Sequence, residues 1–389
     1  MKTIFNSLGS NYNLEFVLKS LFATNDENGR TTLTDFLDKK YKGKTILLYK
    51  GREAIKLALD ILKFPKNSKV GIAGFTCYAV YKAVVDAGLL PEYLDVEEKT
   101  LNFSLDEVKQ HKNLKVLIIQ NTFGNPCNVV EIKKYCFENG IILIEDLAHS
   151  IGSIYQSNKE AGFYGDFIVL SFGQDKIIDA VSGGALIIRN SKFSYAGNVA
   201  FTPVSIGRQI KDKLYPLFTY KIRKTYKIGL GKAFHLFLKK INLLSKPMDG
   251  NNSIVLHSLP NWYCDLVNFQ FSNFKKDLGH RKKIISIYQK KLSKHDSAFS
   301  LRFPIFVKNR KALIDYLKQN VIYITDTWYD APIAPARFLK LTNYKKGMCP
   351  NSEKVSEEIV NLPTHVNVTV EDAEKISALI NKWLNTQQN

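Results

Sequence analysis

Between Thr45 and about Asn190, short aliphatic runs alternate with amphipathic stretches of helical period, and few folds accommodate that rhythm. Thr45–Tyr49, Lys69–Ala73, Glu92–Leu94, Val116–Gln120, Ile141–Glu145, Phe167–Ser171 and Ala185–Ile188 read as strands. Glu53–Leu62, Tyr78–Ala87 and Val130–Glu138 read as helices. Strands separated by helices favour a mostly parallel sheet with helices on both faces, because parallel neighbours need long crossovers. The rhythm breaks after Asn190. Helical character returns at Leu266–Leu292, followed by a strand at Leu301–Val307 and helices at Arg310–Gln319 and Val370–Leu384. The expected organisation is an N-terminal arm (1–45), a large α/β domain (46–200), an insertion (201–260) and a smaller C-terminal α+β domain (261–389).

In a parallel sheet, ligands gather at the carboxyl ends of the strands. Two chemically active groups fall there. Glu145-Asp146 closes the run Ile141–Ile144, and Lys176 ends Ser171-Phe172-Gly173-Gln174-Asp175-Lys176 just beyond the next strand. A desolvated lysine amine is a nucleophile that can hold pyridoxal phosphate (PLP) as a Schiff base, and an aspartate can keep the pyridine nitrogen protonated. Read alone, Asp146 suits a strand-end acid capping the next helix equally well, and most lysines lie on surfaces. Gly51, Arg52 and Glu53 open a helix after a strand, so their amides form a natural phosphate seat. The Ser171 hydroxyl can donate to the same phosphate, and Gly183-Gly184 permits close backbone approach. His149, three residues past Asp146, is placed to reach a ring bound there.

The order of these segments is more specific than any one of them. Gly51-Arg52-Glu53-Ala54, Phe75-Thr76-Cys77, Asn121-Thr122-Phe123-Gly124-Asn125-Pro126, Glu145-Asp146-Leu147-Ala148-His149 and Ser171-x-x-x-x-Lys176 resemble the DegT/DnrJ/EryC1/StrS family. So do Cys349-Pro350-Asn351-Ser352-Glu353-Lys354 and Leu362-Pro363-Thr364-His365. Members of that family are PLP-dependent sugar aminotransferases of fold type I. The resemblance implies that Lys176 binds the cofactor covalently and that Asp146 pairs with its ring nitrogen. It implies that Ser171 and the amides at Gly51, Arg52 and Glu53 hold the phosphate, with His149 beside the ring. Where the family has a ring-stacking aromatic, this chain has Cys77, so that either Tyr78 or Phe75 stacks or the ring face is held more loosely. Asn261 corresponds to an asparagine that crosses a homodimer interface to the partner's phosphate, although the arginine that accompanies it is absent. The implied reaction takes an amine from L-glutamate to a nucleotide-linked keto sugar, for polysaccharide or glycoconjugate synthesis. Retention of Lys176 sets the chain apart from relatives that replace it with histidine and act as sugar dehydratases. A dehydratase, or a non-catalytic relative binding a membrane or polyanion, stands as the alternative.

Composition matters most in one segment. The net charge is +19, and residues 208–246 carry eleven Lys and Arg against one acid, Asp212. Tyr215, Phe218, Tyr220, Tyr226, Phe234 and Phe237 lie among the cations. Three readings stand open: a helical hairpin packed on its own subunit, a membrane-surface element, or a site for the phosphates of a nucleotide-linked or lipid-linked sugar. No fold signal supports nucleic-acid binding. The five cysteines are scattered without metal-ligand spacing and read as reduced thiols. No run reaches the length of a membrane span, and residues 1–20 lack a signal-peptide core, so the expected location is cytoplasmic, with contact at the inner membrane face through 208–246.

Overall fold

The computed structural model describes residues 3–195, 200–247, 250, 252–292, 298–325 and 328–387. Its centre is a seven-stranded sheet: β1 (Lys44–Leu48), β2 (Lys69–Ala73), β3 (Leu90–Leu94), β4 (Leu114–Ile119), β5 (Ile142–Asp146), β6 (Phe167–Ser171) and β7 (Gly184–Ile188). The spatial order is β1-β7-β6-β5-β4-β2-β3. Only β7 runs antiparallel to its neighbours β1 and β6. The mostly parallel sheet expected from the sequence is therefore present. β6 and β7 are buried over nearly their whole length, as strands covered on both faces must be. The Gly51–Leu62 helix buries Ala54, Ile55, Leu57, Ala58 and Leu59 against the sheet.

The smaller domain is organised around the Asn261–Leu292 helix and an antiparallel pair, Phe303–Phe306 with Ile359–Leu362. Ile284, Ile285, Tyr288, Leu313, Leu317, Ile376 and Ile380 fill its core. The N-terminal segment ties this domain to the rest. Ile4 and Phe5 pair in parallel with Ile322 and Tyr323, and the His365 ring donates to the Phe5 carbonyl (2.7 Å). In return, Ile333–Ala334 pairs with Thr76–Cys77 beside the large sheet.

The basic insertion forms two helices, Ile206–Thr225 and Leu230–Lys240. They pack closely because Gly231 lies on the Ile222 carbonyl, where a Cβ would stand 2.2 Å from the oxygen. Phe218 meets Phe234 edge-on, and Tyr226 packs edge-on against Phe5 and Tyr323. The hairpin is fixed from below by its lone acid. Asp212 is buried, and its Oδ2 accepts from the hydroxyls of Tyr49 (2.6 Å), Ser182 (2.5 Å) and Tyr263 (2.8 Å). No helix among the described residues is long and apolar enough to cross a membrane.

Candidate active site

Strand alternation separates the two acids that the sequence placed together. Glu145 is fully buried and accepts from Tyr155 Oη (2.8 Å) and from the amides of Gly162, Tyr164 and Gly165. It holds the loop that returns to β6. Asp146, the last residue of β5, lines a cavity of about 250 Å³ together with Lys176, Ser171, Gly51, Arg52, Cys77 and His149. Its Oδ1 accepts from the Ala148 amide (2.9 Å). Burial pushes its carboxyl pKa up, while the Ala148 hydrogen bond and the charge of Lys176 pull it back.

The Gly51–Leu62 helix begins at this cavity with no side-chain cap, so its positive end is presented there. Gly51 is required at the first turn: a Cβ would lie 2.8 Å from the Ser171 Cβ and 3.1 Å from its Oγ. Ser171, the last residue of β6, is thereby held against the helix start. Glu53 departs from expectation. Its amide donates to the Lys50 carbonyl (3.1 Å), its carboxylate accepts from the His257 amide (2.9 Å) and pairs with His257 Nδ1 (3.1 Å), and it does not line the cavity. The seat comprises Gly51, Arg52 and Ser171.

Lys176 sits on a loop held from behind. Asp175 adopts φ +65°, a conformation rarely adopted by side chains other than Asn, Asp and Gly. Its amide donates to Asp179 Oδ2 (2.8 Å). Asp179 also accepts from Tyr12 Oη (2.5 Å), Asn11 Nδ2 (2.8 Å) and the Val181 amide (3.1 Å), and Asn11 donates to the Lys176 carbonyl (3.1 Å). Burial and the neighbouring Asp175 push the Asp179 pKa up to about 7, against those hydrogen bonds. Burial lowers the pKa of the Lys176 amine, opposed by Cys77, Asp146 and Asp175. The neutral amine is thereby favoured more than in a water-exposed lysine.

Aromatic side chains close the cavity from a direction that the sequence did not reveal. Trp328 lies 4.7 Å beneath the Lys176 Nζ, with the buried Arg302 guanidinium 5.5 Å from the same ring. His149 packs against both Phe123 (5.6 Å) and Trp328 (5.4 Å), whose own rings lie 6.3 Å apart, so the three form a cluster. Its Nδ1 accepts from the Phe123 amide (3.3 Å), which places the proton on Nε2, donating to Tyr329 Oη (3.2 Å). Burial, then the charges of Lys176 and Arg302, hold the His149 pKa well below its usual range, so the ring is neutral. Tyr78 and Phe75, the expected stacking residues, are elsewhere. Tyr78 is buried against Tyr81 and Phe338, and Phe75 meets Phe123 and Tyr329 edge-on; neither lines the cavity. Cys77 does line it, its sulfur accepting from the Ala79 amide (3.5 Å) at the start of the next helix. Asn261 lies outside this cavity, where it accepts from Arg30 Nε (2.7 Å).

These residues fit PLP. An uncapped helix end and a serine suit its phosphate, a buried carboxylate with one oxygen on an amide suits a pyridinium nitrogen, and a desolvated amine suits its aldehyde. Among the described residues no group of three or more His, Cys, Asp or Glu is placed to hold a metal ion.

Comparison with known proteins points the same way. Residues 14–206 and 256–381 match the DegT/DnrJ/EryC1/StrS aminotransferase family, with 207–255 outside the match. GDP-perosamine synthase of Vibrio cholerae is 29% identical over 163 residues, covering 41% of this chain and 43% of that protein. EpsN of Bacillus subtilis, a putative pyridoxal phosphate-dependent aminotransferase, is 33% identical over 150 residues, 36% of this chain and 38% of its own. The chain thus spans less than half the length of these two relatives. The structure of PseC from Helicobacter pylori, an aminotransferase involved in pseudoaminic acid biosynthesis, aligns over 99% of this chain and 100% of its own. The TM-score is 0.73 at 15% identity, a likeness of fold.

Proposed function

The chain belongs to the DegT/DnrJ/EryC1/StrS aminotransferase family, and from that membership we propose that it is a PLP-dependent enzyme transferring an amine from L-glutamate to a nucleotide-linked keto sugar. The observation that carries the reading is the meeting of Lys176, Asp146 and the uncapped Gly51 helix at one cavity. Bound PLP supplies an electron sink that makes the hydrogen on a nitrogen-bearing carbon labile. Asp146 holds a proton at the pyridine nitrogen through its carboxylate. Gly51, Arg52 and Ser171 hold the phosphate. The Lys176 amine, its proton affinity reduced by burial, takes a proton from the donor carbon and later returns one to the sugar carbon. Neutral His149 anchors the Tyr329 hydroxyl, and the Trp328 ring lies under the amine. Amine transfer, the reading that retention of Lys176 favours over dehydration, suits polysaccharide or glycoconjugate synthesis.

Asn261, outside its own chain's cavity, suits a homodimer in which it reaches the partner's phosphate. A cytoplasmic location at an anionic membrane face accords with the insertion's outer surface, where exposed Ile228, Leu230, Leu236, Phe237 and Ile241 lie among Lys227, Lys232, Lys239 and Lys240. The deciding experiment is absorbance: purified protein with PLP gains a visible band, and L-glutamate alone converts it. A protein that takes up no PLP would overturn the reading. A band that ignores glutamate would replace the donor.

A further inference from the structure

After its second helix the insertion continues through residues 241–247, which form neither helix nor strand. Leu244 is buried in the main core and Leu243 packs beside it, so the segment is rooted at that end. Among the described residues, no backbone–backbone hydrogen bond reaches Leu244, Ser245, Lys246 or Pro247. Two side chains hold this stretch instead. Gln174, on the lysine loop, donates from Nε2 to Ser245 Oγ (3.0 Å) and to the Ser245 carbonyl (3.3 Å). Arg52, in the phosphate seat, donates from Nη2 to the Pro247 carbonyl. Gln174, Arg52 and Pro247 all line the cavity of Lys176, so the stretch runs along that cavity from the lysine loop to the start of the Gly51 helix. On its other side, Leu244, Ser245 and Lys246 face a second cavity of about 780 Å³. The stretch therefore has space to swing into, and side-chain hydrogen bonds keep it from doing so.

We propose that Gln174 and Ser245 are positioning residues that latch residues 244–247 as a strap across the phosphate seat, and that the strap retains the aminated cofactor. The need arises once per cycle. When the amine has passed from the donor to the cofactor, no covalent bond joins the cofactor to Lys176, and the Asp146 contact and the phosphate seat must keep it. A helix end, one serine and one arginine at a cavity edge bind an anion reversibly. A latched strap over that edge adds the breaking of its hydrogen bonds to the cofactor's escape. Arg52 can serve strap and phosphate together, since a guanidinium carries five N–H donors. The inference rests on the aminotransferase reading, in which the cofactor leaves and regains Lys176 in every cycle.

The test compares the two forms of the cofactor in the full chain. Gln174→Ala removes both bonds to Ser245, and Ser245→Ala removes the one at Oγ. Calorimetric titration of the cofactor-free protein with pyridoxamine phosphate should show affinity lowered about tenfold in Gln174→Ala and about threefold in Ser245→Ala. Both variants should keep the visible band of PLP through gel filtration, because the bond to Lys176 holds PLP while the strap is open. Amide hydrogen exchange over residues 242–246 should slow when pyridoxamine phosphate binds the parent protein, and slow less in Gln174→Ala. Equal affinity in the parent and both variants would overturn the strap while leaving the aminotransferase reading intact. Exchange unchanged by binding in the parent would do the same. Loss of the visible band in the variants would also overturn it, by making Gln174 a support of the lysine loop. A parent protein that takes up neither form would overturn the strap and the aminotransferase reading together.

Discussion

The cavity at the ends of β5 and β6 and the second cavity of about 780 Å³ under the insertion, lined by Arg208, Lys211, Asp212 and Lys246, share Arg337, yet they handle charge in opposite ways. In the first, ionisable groups are buried or half-buried and offset by neighbours: Lys176 by Asp146, Asp175 by Arg302 at 3.6 Å. Burial there shifts proton affinities and makes an amine reactive. In the second, the cations remain at the water boundary, with Lys246 exposed, and the acid is turned inward as an anchor. Hydrated charge attracts a ligand without activating anything. Charge is withdrawn from water in one cavity and left at its boundary in the other.

The comparison breaks most visibly at the amine. Lys176→Ala should abolish the visible band and lower amine transfer at least about 10³-fold, measured by absorbance and by single turnover. Unchanged turnover would remove the distinction altogether. Asp146→Asn should retain PLP but slow the reaction by about 10²–10³-fold, since an amide cannot hold the pyridinium proton as a carboxylate does. On the insertion side, Asp212→Ala leaves three buried hydroxyls without their acceptor. A loss of about 3 kcal/mol in denaturant unfolding is expected, with the visible band preserved. Loss of the band instead would show that the anchor serves the first cavity.

Asp179 offers a pH test of the buried network behind the lysine. Its folded pKa, about 7, lies above the ordinary 3.8, so the folded chain retains a proton that the unfolded chain releases. Stability should therefore fall by roughly 1.4 kcal/mol per pH unit as pH rises from about 4 to about 7, then level off. Asp179→Asn should remove that slope. The smallest effect belongs to the insertion's outer surface. Flotation with anionic liposomes should weaken by about fivefold for each of Lys239→Gln and Lys240→Gln, on about 1 kcal/mol per charge. Equal flotation, or a change in oligomeric mass instead, would assign the apolar ridge to a protein contact.

Much of the first cavity was legible because its residues end strands or start helices within one stretch, and spacing along a parallel sheet converts directly into position. Asp146, Ser171, Lys176 and Gly51 fall where the alternation puts them. Glu53 was misplaced because the amides of a helix's first turn are not equivalent: the third is already used by the turn itself. Trp328 and Tyr329 were invisible for another reason. They belong to a loop without periodicity, positioned by the two-residue pairing of Ile333–Ala334 with Thr76–Cys77, more than 250 positions away in sequence. In the insertion, composition exposed the cluster of cations and singled out Asp212. Its burial depends on hydroxyls from Tyr49, Ser182 and Tyr263, which no local pattern links.

The threading of the N-terminal segment has a consequence for the order of assembly. Asn11 and Tyr12 grip the loop of Lys176, Ile4 pairs with Ile322, and His365 fastens the Phe5 carbonyl. Ile4 and Phe5 must therefore wait for partners made more than 300 positions later. A chain with such distant contacts completes its reactive centre only after residues 302–365 have been made. A truncated nascent chain carries the lysine but not the setting that makes it a nucleophile.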